Sequence, residues 1–289
     1  MILDNETELV FISAQSKRIA PACYRRLKDA LDGFCPLIEL EKTRYGWCRD
    51  YMPVQVSRSK MIQYRYYPDY MRTPYYRKLI TDPTEQLEVY GFETVKTDIV
   101  LDAGNVVMTP ECIIMVDKIF RENPGYKPND LINELEKLFE TEIMLLPFDS
   151  NEPFGHADGI VRYASGNNVI LTSYPDKTHT DKIRKILSQK FDIIELKYDA
   201  TNMHQNLTWA YINFLQTNRG IAVPQLGIEE DEQAMEQFRK IFTPVGSRLF
   251  PINIRPFVNK GGGLNCLTWN ICMPYINDKY AMAMKRQKL

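Results

Sequence analysis

Apolar positions recur along this chain in one order: two short β-type runs joined by a turn, a run at helical spacing, then another β-type run. The order is plainest from Gly159 to Tyr198. Ile160–Tyr163 and Val169–Thr172 are rich in β-branched and aromatic residues and flank Ser165-Gly166-Asn167-Asn168, which predicts a hairpin. Ile183, Ile186 and Leu187 fall at i, i+3 and i+4 within Asp181–Lys190, one apolar helical face, and Asp192–Leu196 returns as a strand. The predicted unit is strand, strand, helix, strand.

Four further units follow the same order. One takes Val106–Met108, Cys112–Val116, a helix over Asn129–Phe139, then Glu142–Leu146. Another takes Tyr211–Phe214, Gly220–Val223, a helix over Asp231–Phe242, then Leu249–Ile252. In a third, Val54–Val56 and Met61–Tyr64 precede a Tyr- and Pro-rich stretch through Leu87, and Glu93–Val95 is the last strand. The fifth needs both ends of the chain: Leu267–Asn270, then Leu9–Ile12, a helix over Arg18–Leu31, then Leu37–Leu40. Pairing the ends closes the circle and removes exposed sheet edges, so one domain over residues 1–289 is expected, with neither terminus trimmable by much.

Acid and sulfur chemistry keeps step with the units. Asp50, Asp102, then His156 with Asp158 follow at steps of about 52 to 56 residues; after a double gap with Trp209 near its midpoint comes Cys266. Each falls just before the first strand of its unit, the phase expected if all point to one axis. Alone, each has a plainer reading: Cys266 as a buried thiol, His156 as a satisfied ring, Asp50 as an ion-pair partner of a nearby Arg, Asp102 as a turn residue. Together, three carboxylates, one His and one Cys form a negative pocket with a nucleophile. That pocket suits a flat delocalised cation, and a guanidinium pairs bidentately with carboxylates.

Composition narrows the setting. The 289 residues are 44% hydrophobic with a formal net charge of -1, giving no basic footprint for nucleic acid. Met1–Glu8 is acidic and lacks signal-peptide character, and no apolar run approaches membrane-spanning length, so no membrane partner and a cytoplasmic location are expected. Six cysteines without CxxC spacing indicate neither a disulfide scaffold nor a zinc finger. His179 and His204 lie in polar stretches without partners comparable to those of His156, and one His with Asp and Cys makes a poor metal set.

The motifs Trp47-Cys48-Arg49-Asp50, Leu101-Asp102-Ala103-Gly104-Asn105, Gly155-His156-Ala157-Asp158, Ala210–Phe214, Val223-Pro224-Gln225 and Gly261–Thr268 stand in a telling order and spacing. In them the chain resembles the agmatine deiminase and bacterial peptidylarginine deiminase family from about Tyr45 to Pro274. The resemblance implies a five-bladed α/β propeller (a pentein) of β-β-α-β units. It implies Cys266 as nucleophile, His156 as general acid and base, and Asp50 and Asp158 as guanidinium ligands, with Asp102, Trp47, Gly263 and Asn265 also around the substrate. Two departures concern substrate identity: Asn265 stands where the family usually has His, and Asp102-Ala103-Gly104 where agmatine deiminases usually have Glu-Gly-Gly.

The implied reaction converts a guanidino group to a ureido group with loss of ammonia, through a covalent thiouronium on Cys266, with no metal or organic cofactor. The partner is a small cationic guanidino compound, agmatine or an arginine derivative, and agmatine would place the reaction on a route to putrescine. Peptidyl-arginine as substrate, amidino transfer to an amine, and guanidine binding without turnover stay open. Carboxylates near Cys266 disfavour its thiolate, so activation by the bound cation is expected.

Overall fold

The computed structural model describes residues 1–149, 154–172, 176–199, 204 and 206–273; Pro274, at the far end of the resembling stretch, lies outside them. Five three-stranded sheets follow the predicted order, each with its first two strands antiparallel and its last two parallel. In four of the five blades one amphipathic helix returns the chain for the parallel pairing, as in Pro128–Phe139, which buries Leu131, Leu135 and Phe139. The sheet that joins both ends pairs Leu9–Ser13 with Thr268–Ile271 antiparallel and with Leu37–Leu40 parallel.

Burial patterns show how the sheets close into a ring. Successive side chains on a strand point to opposite faces. Leu9 and Phe11 enter one apolar cluster while Val10 and Ile12 enter another; Ile113 and Met115 are likewise parted from Ile114 and Val116, Val169 from Ile170, and Ile221 from Ala222. Each of these middle strands therefore carries apolar residues on both faces and serves two neighbours at once. The four clusters link the sheets beginning after Asp50, Asp102, His156, Trp209 and Cys266 in a cycle, which is a five-bladed α/β propeller.

Three elements depart from the sequence expectation. Tyr211–Phe214 is not a strand: Thr208–Tyr211 forms a 3-10 turn and the strand is Leu215–Thr217. Its apolar residues are fully buried, but in a turn that hydrogen-bonds Tyr211 to Asp231 at 2.7 Å. The last strand of the Asp50 blade is Val95–Val100, not Glu93–Val95, and the Tyr- and Pro-rich stretch before it contains short helices at Pro74–Arg77 and Thr84–Tyr90. Pro21 breaks the expected Arg18–Leu31 helix into Ser16–Ile19 and Pro21–Asp32, because proline is accommodated at a helix start but not within one. No helix among the described residues is long and apolar enough to cross a membrane.

Candidate active site

A short helical turn precedes the first strand of every blade: Cys48–Tyr51, Ala103–Asn105, Ala157–Gly159, Thr208–Tyr211 and Leu264–Leu267. These turns place Asp50, Asp102, His156, Asp158 and Cys266 together, which is the physical meaning of their even spacing. The Tyr64 hydroxyl ties two of the turns. It donates between the carbonyls of Asp50 and Met52, at 2.6 and 2.8 Å, and accepts from the Ala103 amide at 3.1 Å.

His156 lies between two carboxylates. Its Nε2 is 2.9 Å from Asp102 Oδ2 and its Nδ1 is 3.8 Å from Asp50 Oδ1. Burial works against the imidazolium, but Asp50 and then Asp102 outweigh it, so the ring holds its proton above the usual histidine range. Gly104 lets the ring approach, since a Cβ there would lie 2.5 Å from His156 Nδ1 and 3.0 Å from Asp50 Oδ1.

The three carboxylates differ in environment. Asp102 Oδ2 also receives the Lys118 ammonium at 2.8 Å; burial pushes this acid upward, yet Lys118 and His156 hold it below the usual range. Burial pushes Asp50 up to about 7, with Asp102 and Asp158 adding to it against His156. Asp50 Oδ1 and Asp102 Oδ1 make no hydrogen bond among the described residues. Asp158 Oδ2 accepts from Asn265 Nδ2 at 2.7 Å and lies 3.8 Å from the Cys266 sulfur.

Cys266 sits at the end of the glycine run. Its amide donates to Asn213 Oδ1 at 3.1 Å. A Cβ on Gly263 would come within 2.5 Å of that oxygen, and one on Gly262 within 2.6 Å of the Trp47 ring, so the loop needs both glycines to pack this closely. Burial, then Asp158 and Asp50, push the thiol well above its usual range despite the Gly263 backbone and Asn213.

The plainer reading of Asp50, an ion pair with a nearby Arg, is not met among the described residues. Arg49 turns away, donating through Nε to the Asn265 carbonyl at 3.3 Å and through a terminal nitrogen to Asn265 Oδ1 at 3.0 Å and to Asn270 Oδ1. Asn265 is thus a coupler between Arg49 and Asp158. Trp47 backs the glycine loop that carries Cys266, its ring 6.3 Å from that of Phe257.

The aromatic stretch divides between two environments. Tyr70 packs against His156 and Phe154, at 5.8 and 5.1 Å between ring centroids, and its hydroxyl is 3.3 Å from that of Tyr66. Tyr75 and Tyr76 face outward and are exposed, while Tyr67 lies among Arg65, Arg72 and Arg77. The sequence did not single out Lys118, Arg49 as a site contact, or Asn213. His204 does have a carboxylate partner, Glu230 at 2.9 Å, which the intervening sequence concealed.

Fold and site together define a pentein: a ring of five blades with a buried thiol, an imidazole and carboxylates gathered at the turns that open them. The profile of the Porphyromonas-type peptidyl-arginine deiminases matches residues 2–272, and the chain belongs to that family. It is similar to a putative agmatine deiminase of Legionella pneumophila, with 26% identity over 188 residues, 57% of this chain and 51% of the relative. The match thus spans about half the length of that curated relative. The structure of C. jejuni agmatine deiminase aligns with 93% of this chain and 94% of its own at 17% identity and a TM-score of 0.74. That of a putative peptidyl-arginine deiminase aligns with 94% and 98% at 14% identity and a TM-score of 0.75. At such identities these structures establish the fold.

Proposed function

We propose that this protein is a cysteine-dependent deiminase that hydrolyses a guanidino group to a ureido group and ammonia, with agmatine as its substrate. The observation that carries the reading is the set around the thiol: Cys266 lies against Asp158, while Asp50 presents a buried carboxylate oxygen with no hydrogen bond among the described residues. Buried carboxylates so placed call for a cation, and a planar guanidinium supplies donors for both.

In the proposed cycle Asp50 and Asp158 hold the guanidinium with its carbon toward Cys266, and its charge favours the thiolate. The thiolate adds to that carbon. His156, as imidazolium, protonates the departing nitrogen, and ammonia leaves a thiouronium on the sulfur. The neutral imidazole then takes a proton from water as the oxygen attacks; collapse expels the thiolate and gives the ureido product. Asp102 orients the imidazole through Oδ2 and keeps Oδ1 for the substrate. Trp47, Gly263 and Asn265 shape the nucleophile side.

One blade takes its strands from both ends of the described chain, which supports reading residues 1–289 as one domain. The cytoplasm is the compartment proposed, where six free cysteines stay reduced. The names of the curated relative and of the C. jejuni structure support agmatine, while the family profile and the second structure carry the peptidyl-arginine name and keep that substrate in the test. The test is a turnover screen of agmatine, free arginine, methylated arginines and arginyl peptides, with ureido product and ammonia both measured. Ammonia and ureido product from agmatine, lost in Cys266→Ala, support the reading. Amidino transfer without ammonia would make the protein a transferase, and calorimetric binding without product over hours would make it a guanidine-binding module.

A further inference from the structure

Lys118 and Glu122 occupy the short helix Lys118–Glu122 and lie outside every motif that the sequence singles out, yet both side chains are buried. Burying an ammonium costs several kcal/mol, about, unless it is paired and hydrogen-bonded, so its position has a cause. Lys118 Nζ donates to Asp102 Oδ2 at 2.8 Å and to the Phe154 carbonyl at 2.7 Å, lies 3.4 Å from Glu122 Oε1, and stands 5.2 Å from the centre of the Tyr70 ring. Three of these four contacts lead to one imidazole. Asp102 Oδ2 is the atom that His156 Nε2 meets at 2.9 Å, Phe154 is two residues ahead of His156, and the Tyr70 hydroxyl is 3.5 Å from the same Nε2.

We propose that Lys118 is a positioning residue for His156: its ammonium shares the Asp102 carboxylate with the imidazole and anchors the chain that carries it, so that the ring is fixed in place and its proton stays releasable. The purpose rests on the deiminase reading, in which His156 must give up a proton and take one back; the geometry does not. Two cations on one carboxylate oxygen repel each other. Without Lys118 the imidazolium would be the one cation left on Asp102 among the described residues, and would keep its proton to higher pH.

The charged and titratable groups around the pair act together. Asp50 and Tyr70 face His156 from one blade, and Asp102 and Lys118 from the next. Asp158 and Cys266 act through Asp50. Glu122 faces Lys118, and burial and Asp102 push it up to about 7 against the pull of Lys118. Asp69, also near Lys118, is paired with Arg121. Asp50 and Asp102 hold the proton on His156, and Lys118 is the counterweight.

The chain has three histidines, so histidine-labelled protein can be titrated by NMR, with His156 assigned from a His156→Asn spectrum. In Lys118→Met the His156 midpoint is expected to rise by about one pH unit, and in Lys118→Arg to return toward wild type. Near-UV circular dichroism of each variant, superposable on that of wild type, reports the intact fold. An unmoved or lowered His156 midpoint in Lys118→Met overturns the proposal. Should that variant not fold, Glu122→Gln commits the ammonium more fully to Asp102 and is expected to lower the His156 midpoint; a rise or no change overturns the proposal equally. Absence of turnover in the wild type would sink the deiminase reading and leave the titration result standing.

Discussion

The Cys266 sulfur lies 3.8 Å from Asp158 Oδ2, so this thiol rests against an acid that opposes its ionisation. The thiol should therefore be sluggish until a cation binds. Alkylation of Cys266 by iodoacetamide, followed at pH 7 to 9, is expected to accelerate at least about tenfold when a saturating unreactive guanidine is present. Equal rates with and without the guanidine would show that the bound cation does not activate the sulfur.

Asp50 carries a cost that varies with pH. Burial pushes its carboxyl up to about 7 from an ordinary aspartate value of 3.8, so the folded state holds the proton more tightly than the unfolded chain and stability falls as pH rises between these values. Asp50→Asn removes that fall. The variant is expected to match wild type near pH 4, to exceed it by about 2 to 4 kcal/mol above pH 7, and to bind guanidines poorly. Denaturant melts across that pH range, paired with calorimetry, check the signs.

Gly104→Ala puts a methyl group where His156 Nδ1 and Asp50 Oδ1 now approach. The expected result is a loss of about a hundredfold in kcat, since a displacement of about 1 Å is enough for that. Gly33→Ala, where a Cβ meets nothing within 4 Å, is the control and should leave turnover unchanged.

Trp269 joins the closing blade to its neighbour. It is buried, packs on Phe11 at 4.9 Å between ring centroids, and donates from Nε1 to the Pro53 carbonyl at 2.8 Å. Trp269→Ala is expected to destabilise the fold by about 3 to 5 kcal/mol in urea unfolding, from the lost ring and an unsatisfied carbonyl.

The blade order was legible because the fold repeats one hydrophobic pattern and a strand shared by two interfaces carries apolar residues on both faces. Leu37–Leu40 and the middle strand ending at Val116 stand where that pattern puts them. Tyr211–Phe214 misled because a buried turn and a buried strand use the same residues, and only the polar partner Asp231 tells them apart. Within the site, the turn positions of Asp50, Asp102, His156, Asp158 and Cys266 could be read from their phase. Lys118 could not, since a lone lysine in sequence reads as a solvated charge, and its burial follows from contacts made across two blades. Asn213 stood inside the motif Ala210–Phe214 but without an assigned role, because an uncharged side chain gives no chemical signal.

Closure of the ring also sets the order in which the protein can assemble. Asn270 donates to Asp4 across 266 positions of chain, and the Cys48 thiol donates to the Leu267 carbonyl across 219. Contacts of such sequence separation form slowly, because the chain must give up loop entropy before they return any stability. During synthesis the blades of Asp50, Asp102 and His156 can fold while the Leu9–Ser13 strand still waits for its partner at Thr268–Ile271. Cys266 arrives with that final strand, so a nascent chain has its carboxylates and imidazole in place before it has the sulfur, and in the proposed deiminase no turnover can precede completion of the circle.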